Sequence, residues 1–372
     1  MTPTRADEPH PDVQEFLTLY DSLDVPSFDE VSPTEARRMV ASLYAGDGAA
    51  IAVDSVDDRT IDGPRGEIPI RIYDPGEDVV MDGPGDDVDA DRPGENVNTD
   101  GPGKDVHTDE PDEDVDPGER DFGADPDADT SARRPVVLYF HGGGWVLGGI
   151  DTHDETCRKL AADSGYPVVS VEYGLAPEHP FPDGLEDCYA ALEWLADAAP
   201  NLGADPDRIV LAGDSAGGNL AAATALLARD RDGPDVAYQL LVYPVTGPVE
   251  GTDSFEENGQ GYFLTADEIR WFRGHYFERH IDEGNVYALP RRAADLSGLP
   301  PATIVTAGFD PLRDDGAAYA ERLESDGVPV TYRNYDDVIH GFFAMISEPQ
   351  NFERAHEAYD DVVADLEAAL EG

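Results

Sequence analysis

Lysine and cysteine are almost missing from this chain. Its 372 residues hold two lysines, Lys104 and Lys159, and two cysteines, Cys157 and Cys188. Two cysteines do not make a disulfide framework. Both fall in stretches with helical patterning and lack ligand spacing, so buried free thiols are expected and no metal site. Positive charge is scarce throughout: 25 Lys and Arg face 80 Asp and Glu, a net charge of −55. A field of that sign repels nucleic acid and anionic membrane surfaces. No run approaches the ~18 apolar residues of a membrane span. The opening residues, Met1 to Glu8, lack the apolar centre of a signal peptide, so a cytoplasmic protein is expected. Hydrophobic residues make up 40% of the chain, enough for a core in one large α/β domain or two smaller ones.

What is present begins with two amphipathic helical stretches over 10–46. Val13, Phe16, Leu17, Tyr20 and Leu23 recur at helical spacing. Ser32-Pro33-Thr34-Glu35 then reads as a capping box with proline at the first helical position. This segment is either a hairpin packed on the core or part of a cap over a site. Residues 50–56 and 67–73 alternate apolar and polar, as half-buried antiparallel strands do. From Asp74 to Thr130 the composition changes. Prolines at 75, 84, 93, 102 and 111 and valines at 79, 88, 97, 106 and 115 both step by nine. A calcium-binding β-roll also repeats in nines, but its copies need several glycines each. Between Asp74 and Asp129, 22 acidic residues face only Arg92, Lys104 and Arg120. One valine in nine buries no core, so a disordered acidic insertion over 75–130 is expected. More than half of the net charge still lies outside it. An acidic, lysine-poor chain resembles the cytoplasmic proteins of salt-accumulating halophiles. At ~1 M salt the Debye length falls to ~3 Å and self-repulsion is screened.

Beyond the insertion, strands alternate with helices. The apolar run 135–140 leads into strands near 168–173, 208–212, 237–243, 302–307 and 328–335. Helices are expected over 152–164, 184–198, 216–229, 312–325 and 351–370. This alternation predicts an α/β fold with a mostly parallel, doubly wound sheet. Residues 247–290 interrupt it with a second capping box, Thr265-Ala266-Asp267-Glu268, followed by Trp271, Phe272, Tyr276 and Phe277. An excursion between two strands is where a cap would be built.

Four stretches carry chemistry. Gly213-Asp214-Ser215-Ala216-Gly217 sits between an apolar strand pattern and an alanine-rich helix former. That is the context of a nucleophile elbow, a sharp turn that exposes a serine hydroxyl at a helix N-terminus. His141-Gly142-Gly143-Gly144-Trp145 follows a buried strand. Three glycines there suit a backbone that must approach a ligand oxygen closely. Asp310 and His340 each follow a strand, where ligand groups collect in such sheets. The order Ser215, Asp310, His340 is the α/β-hydrolase order. A serine hydroxyl needs a base to take its proton, and the base needs an acid to orient it. Asp314 and Asp315 are alternative acids, set back by their place in a helix; His141 is an alternative base. The oxyanion donors expected are the amides of Gly143, Gly144 and Ala216.

Together with Asp310-Pro311-Leu312-Arg313-Asp314 and His340-Gly341-Phe342, these motifs resemble the hormone-sensitive-lipase-like family of microbial esterases. Tyr173-Gly174-Leu175-Ala176-Pro177-Glu178 resembles that family's Tyr-Arg-Leu-Ala-Pro-Glu segment, and Leu241-Val242-Tyr243-Pro244 also fits. The resemblance runs from about residue 12 to 370, the insertion excepted. It implies an α/β-hydrolase core, a two-part helical cap, no cofactor, and hydrolysis of short- to medium-chain carboxylic esters. The expected organisation is cap helices in 1–48, a catalytic domain in 49–74 and 131–372, and a second cap segment in 247–290. Gly174 stands where the family has arginine, which puts a local salt bridge in question. The expected partner is a small ester; a homodimer is among the open assemblies. Competing functions are a deacetylase or amidase on the same triad, a non-catalytic small-molecule receptor, and a scaffold acting through the acidic repeat.

Overall fold

The computed structural model describes residues 3–23, 25–44, 51–76 and 133–371. The repeat at 75–130 lies outside these residues except for Pro75 and Gly76. Helices α1 (Pro11–Ser22) and α2 (Pro33–Tyr44) come first, then the strands β1 (Ser55–Gly63) and β2 (Gly66–Asp74). There follow β3 (Arg134–Phe140), α3 (Asp154–Ser164), β4 (Val168–Val171), α4 (Asp183–Ala198), β5 (Ala204–Asp214), α5 (Ala216–Asp230) and β6 (Tyr238–Val242). Two short helices, α6 (Asp253–Asn258) and α7 (Ala266–Tyr276), precede β7 (Ala302–Phe309), α8 (Arg313–Ser325), β8 (Val330–Ile339) and α9 (Glu353–Leu370).

One eight-stranded sheet runs β1-β2-β4-β3-β5-β6-β7-β8. The pairs β1–β2 and β2–β4 are antiparallel and every other pair is parallel. The central parallel strands β3, β4, β6 and β7 are buried on both faces, while the edge strand β8 is mostly half-buried. In β3, Val136, Leu138 and Phe140 join the core beneath α4, α5 and α8, while Val137 and Tyr139 join the core beneath α3 and α9. This is why β3 reads as a continuous apolar run and not as alternation. Helix α5 is buried from Ala216 to Ala228, and its small residues let it lie close against the central strands.

The strand expected at 50–56 lies instead at Ser55–Gly63. It pairs with β2 through a tight turn at Pro64-Arg65, with Gly63 opposite Gly66. The shift has a physical cause. β1 is an edge strand with one face in solvent, so its sequence SVDDRTIDG is mostly polar and its apolar signal is weak. The turn residue Arg65 also answers the question posed by Gly174. Its guanidinium pairs with Asp187 of α4 and donates to the Asp183 carbonyl at 2.8 Å. The Gly174 amide donates to the same Asp187 carboxylate at 2.9 Å. A Cβ on Gly174 would stand 2.8 Å from the Arg65 Nη2 atom. An arginine therefore lies beside Gly174, contributed by the hairpin.

Both segments outside the sheet pattern cover the ends of the central strands. The expected box at Thr265–Glu268 is complete. The Glu268 carboxylate accepts from the Thr265 amide at 2.9 Å and, across to the N-terminal segment, from the Ser27 hydroxyl at 3.2 Å. Tyr20, Met39 and Val40 from one segment and Phe263, Ile269 and Phe272 from the other line the same pocket.

Candidate active site

The strand β5 and the helix α5 meet at Ser215, which takes φ 55° and ψ −116°. Such a conformation is strained for a residue with a side chain. It is held by the Ser215 amide donating to the Val242 carbonyl at 2.8 Å and by the Asn219 amide donating to the Ser215 carbonyl at 3.0 Å. The flanking glycines are required by crowding. A Cβ on Gly217 would lie 1.9 Å from the Phe140 carbonyl oxygen, and one on Gly213 would lie 2.5 Å from the Gly217 backbone. Neither Gly213 nor Gly217 has a positive φ.

Asp310 follows β7 directly and is fully buried. Its Oδ1 accepts from the Leu312 amide at 2.8 Å, and its Oδ2 lies 2.8 Å from His340 Nδ1. His340 follows β8, and its Nε2 lies 2.9 Å from Ser215 Oγ. The Tyr243 ring backs the imidazole with centroids 4.6 Å apart. The alternatives are engaged elsewhere. Asp314 accepts from the Ser254 amide at 2.8 Å, and Asp315 faces Arg291 at 2.8 Å. His141 is stacked on Tyr173 at 4.3 Å, and burial, with His153 beside it, holds its ring down at about 3.

The glycine stretch after β3 forms a strap over the serine. Gly143, Gly144 and Trp145 take φ values of 115°, 59° and 60°. The strap is closed by the Leu147 amide donating to the Gly143 carbonyl at 2.8 Å. Among the described residues, neither the Gly143 nor the Gly144 amide donates a hydrogen bond. A Cβ on Gly144 would fall 2.3 Å from the Phe272 ring, so the cap rests directly on this glycine. The pocket is lined by Gly143, Gly144, Ser215, Ala216 and His340, with an apolar wall from the cap, while Asp310 stands behind His340. All six residues singled out from the sequence therefore gather at one place.

Other residues of the site were not legible in advance. Asp214 and His153 sit against the strap, and Arg37 ties α2 to it. Asp214 lay inside the elbow pentapeptide, where its position could have drawn notice. His153 and Arg37 carry no sequence signal, because their partners are distant along the chain. Cys157 and Cys188 are buried free thiols. Among the described residues no helix is long and apolar enough to cross a membrane.

Residues 137–344 match the family described as alpha/beta hydrolase fold. The carboxylesterase NlhH of Mycobacterium tuberculosis is 50% identical over 218 residues, which cover 57% of this chain and 68% of that protein. The arylesterase of Saccharolobus solfataricus is 42% identical over 208 residues, covering 56% and 68%. Among solved structures, an ester-hydrolase from the metagenome of Lake Arreo superimposes with a TM-score of 0.79 at 32% identity, covering 98% of this chain and 100% of that one. The chain belongs to the alpha/beta hydrolase fold family, in its hormone-sensitive-lipase-like branch.

Proposed function

We propose that this protein is a serine carboxylesterase acting on short- to medium-chain carboxylic esters through an acyl-enzyme. Ser215 is the nucleophile, His340 the base and Asp310 its orienting acid. His340 Nε2 takes the hydroxyl proton as Ser215 Oγ attacks the ester carbonyl carbon. The same proton passes to the departing alkoxide when the carbon–oxygen bond breaks. A water molecule, deprotonated by His340 in turn, then attacks the acyl carbon; the bond to Ser215 Oγ breaks, His340 returns the proton to that oxygen, and the carboxylic acid leaves. Asp310 holds the Nδ1 proton and stabilises the imidazolium. The amides of Gly143, Gly144 and Ala216 receive the negative charge that develops on the carbonyl oxygen.

One observation carries this reading: the unbroken run from Ser215 through His340 to Asp310, at 2.9 and 2.8 Å, on the floor of an apolar pocket. The cap wall of Phe263, Ile269, Phe272, Met39 and Val40 suits an alkyl or aryl group and offers little to a charged one. The acid-rich, lysine-poor composition and the two buried thiols support a salt-rich cytoplasm as its setting.

The test is turnover of a chain-length series of chromogenic esters in ~2–3 M salt, beside Ser215→Ala. Turnover should peak at short or medium acyl chains and fall by ~10⁴-fold or more in the variant. Absence of turnover from folded wild-type protein would overturn the reading.

A further inference from the structure

The nucleophile and the oxyanion strap come from different strands, β5 and β3. Their spacing decides whether the strap amides meet the oxyanion, and small displacements of such donors are costly. One buried carboxylate joins the two. Asp214 is the residue before Ser215 and is 6% exposed. Its Oδ1 accepts from the Gly142 amide at 2.9 Å and from the Tyr139 hydroxyl at 2.8 Å. His153, 7% exposed and in the turn before α3, places Nε2 3.3 Å from the same oxygen. It lies 3.3 Å from the Gly142 amide as well, so the strap, the ring and the carboxylate meet at one point.

The Gly142 amide is shared between Asp214 Oδ1 and His153 Nε2, and the ring lies against the carboxylate. The other nitrogen, Nδ1, lies 2.9 Å from the Thr152 hydroxyl. Asp214 Oδ1 collects two donors, the Tyr139 hydroxyl and the Gly142 amide of the strap, with His153 Nε2 beside them. Burial pushes the Asp214 carboxyl up, but His153 and Tyr139 more than offset this and hold it below the ordinary carboxylate range. The approach is so close that a Cβ on Gly142 would stand 2.3 Å from Asp214 Oδ2. Both Asp214 and His153 reach the pocket wall beside Ser215.

We propose that Asp214 and His153 are a positioning pair that fixes the oxyanion strap against the nucleophile, acting through the Gly142 amide. Neither residue touches the reacting atoms. Asp214 shares the elbow with Ser215 and grips the residue that precedes Gly143 and Gly144. His153 aims the carboxylate and blocks its rotation toward the pocket. A loosened pair leaves the nucleophile and its base in place while the oxyanion donors drift, so the loss falls on the transition state and not on substrate binding.

The inference rests on the esterase reading, and one set of assays separates the two. Ester turnover and inhibition by an alkyl trifluoromethyl ketone, which forms a tetrahedral adduct on Ser215, are measured for wild type, His153→Ala, Asp214→Ala and Asp214→Asn. Folding of each is checked by thermal melting in the same salt. Removing one oxyanion donor typically costs about 10²–10³ in kcat. His153→Ala should lower kcat by about tenfold to a hundredfold and Asp214→Ala by about a hundredfold or more, with KM within about threefold. Ketone affinity should weaken in parallel with kcat. Asp214→Asn keeps an acceptor for the Gly142 amide and should recover part of the loss. His153→Ala alone carries the test if Asp214→Ala does not fold. Folded variants with wild-type kcat and ketone affinity would overturn this inference alone, as would a kcat loss with unchanged ketone affinity. A wild type without turnover would overturn both readings.

Discussion

Ser215, Asp310 and His340 were legible because each follows a strand and each belongs to a local motif. Some residues that hold the fold together belong to no motif, and Arg65 is the clearest case. It sits in a two-residue hairpin turn, where an arginine is unremarkable, yet it neutralises Asp187, a carboxylate only 4% exposed. Truncating Arg65 to alanine leaves that charge with the Gly174 amide and little else. The expected loss is about 1–3 kcal/mol, measured by melting at constant salt, and Asp187→Asn in the same background should restore part of it. Burial raises the Asp187 carboxyl, with the Gly174 amide and Arg65 pulling the other way. A carboxyl whose folded pKa lies above its unfolded one favours the folded chain at low pH, and that contribution fades as pH rises through the folded value. Removing Arg65 raises the carboxyl further. The Arg65→Ala deficit should therefore be smallest in mild acid and grow toward neutrality, and a deficit independent of pH would contradict the pairing.

At the scale of elements, the cap is what sequence periodicity could outline but not place. Helix α2 has an apolar face, and nothing in that face says where it docks. The answer is one side chain on its polar side. Arg37 donates from Nε to the Val146 carbonyl and from Nη2 to the Ala176 carbonyl, both at 2.7 Å. It also clasps Glu178 at 3.0 and 2.7 Å. Its hydrogen bond is the main reason the Glu178 carboxyl sits below its ordinary range. The segment Leu175-Ala176-Pro177-Glu178, known first only by its resemblance, thus anchors the cap. Because α2 carries Met39 and Val40 into the pocket wall, Arg37→Ala should loosen that wall. KM for the longer acyl chains should rise by about tenfold, equivalent to ~1.4 kcal/mol of binding, while kcat changes little. Michaelis–Menten measurements across the ester series would check this; a uniform fall in kcat instead would mean that α2 also steers the strap at Val146. The strand β1 makes the opposite point. Its position departs from the apolar pattern because an edge strand with a solvent face needs few apolar residues, and its register comes from pairing with β2.

For the whole molecule, charge dominates. A net charge of −55 on 372 residues makes the compact state self-repelling at low ionic strength. Melting temperature should rise steadily from ~0.1 to ~2 M potassium chloride as the screening length falls from ~10 Å to a few ångströms. A flat profile would show that arginine–carboxylate pairing already offsets the repulsion. That expectation needs only a count of residues; the order of strands and helices needs only the pattern along the chain, since continuous apolar runs announce buried parallel strands. The proposed nucleophile, base and acid are legible in the sequence as well, because an elbow and two post-strand loops are local patterns with local causes. Tertiary structure alone decided the rest. The contact of His153 with Asp214, the reach of Arg65 into the gap left at Gly174, the seat of the cap on Gly144 and the docking of α2 by Arg37 each join residues far apart along the chain. Such contacts are set by how whole elements pack, and no periodicity within one element encodes its neighbour.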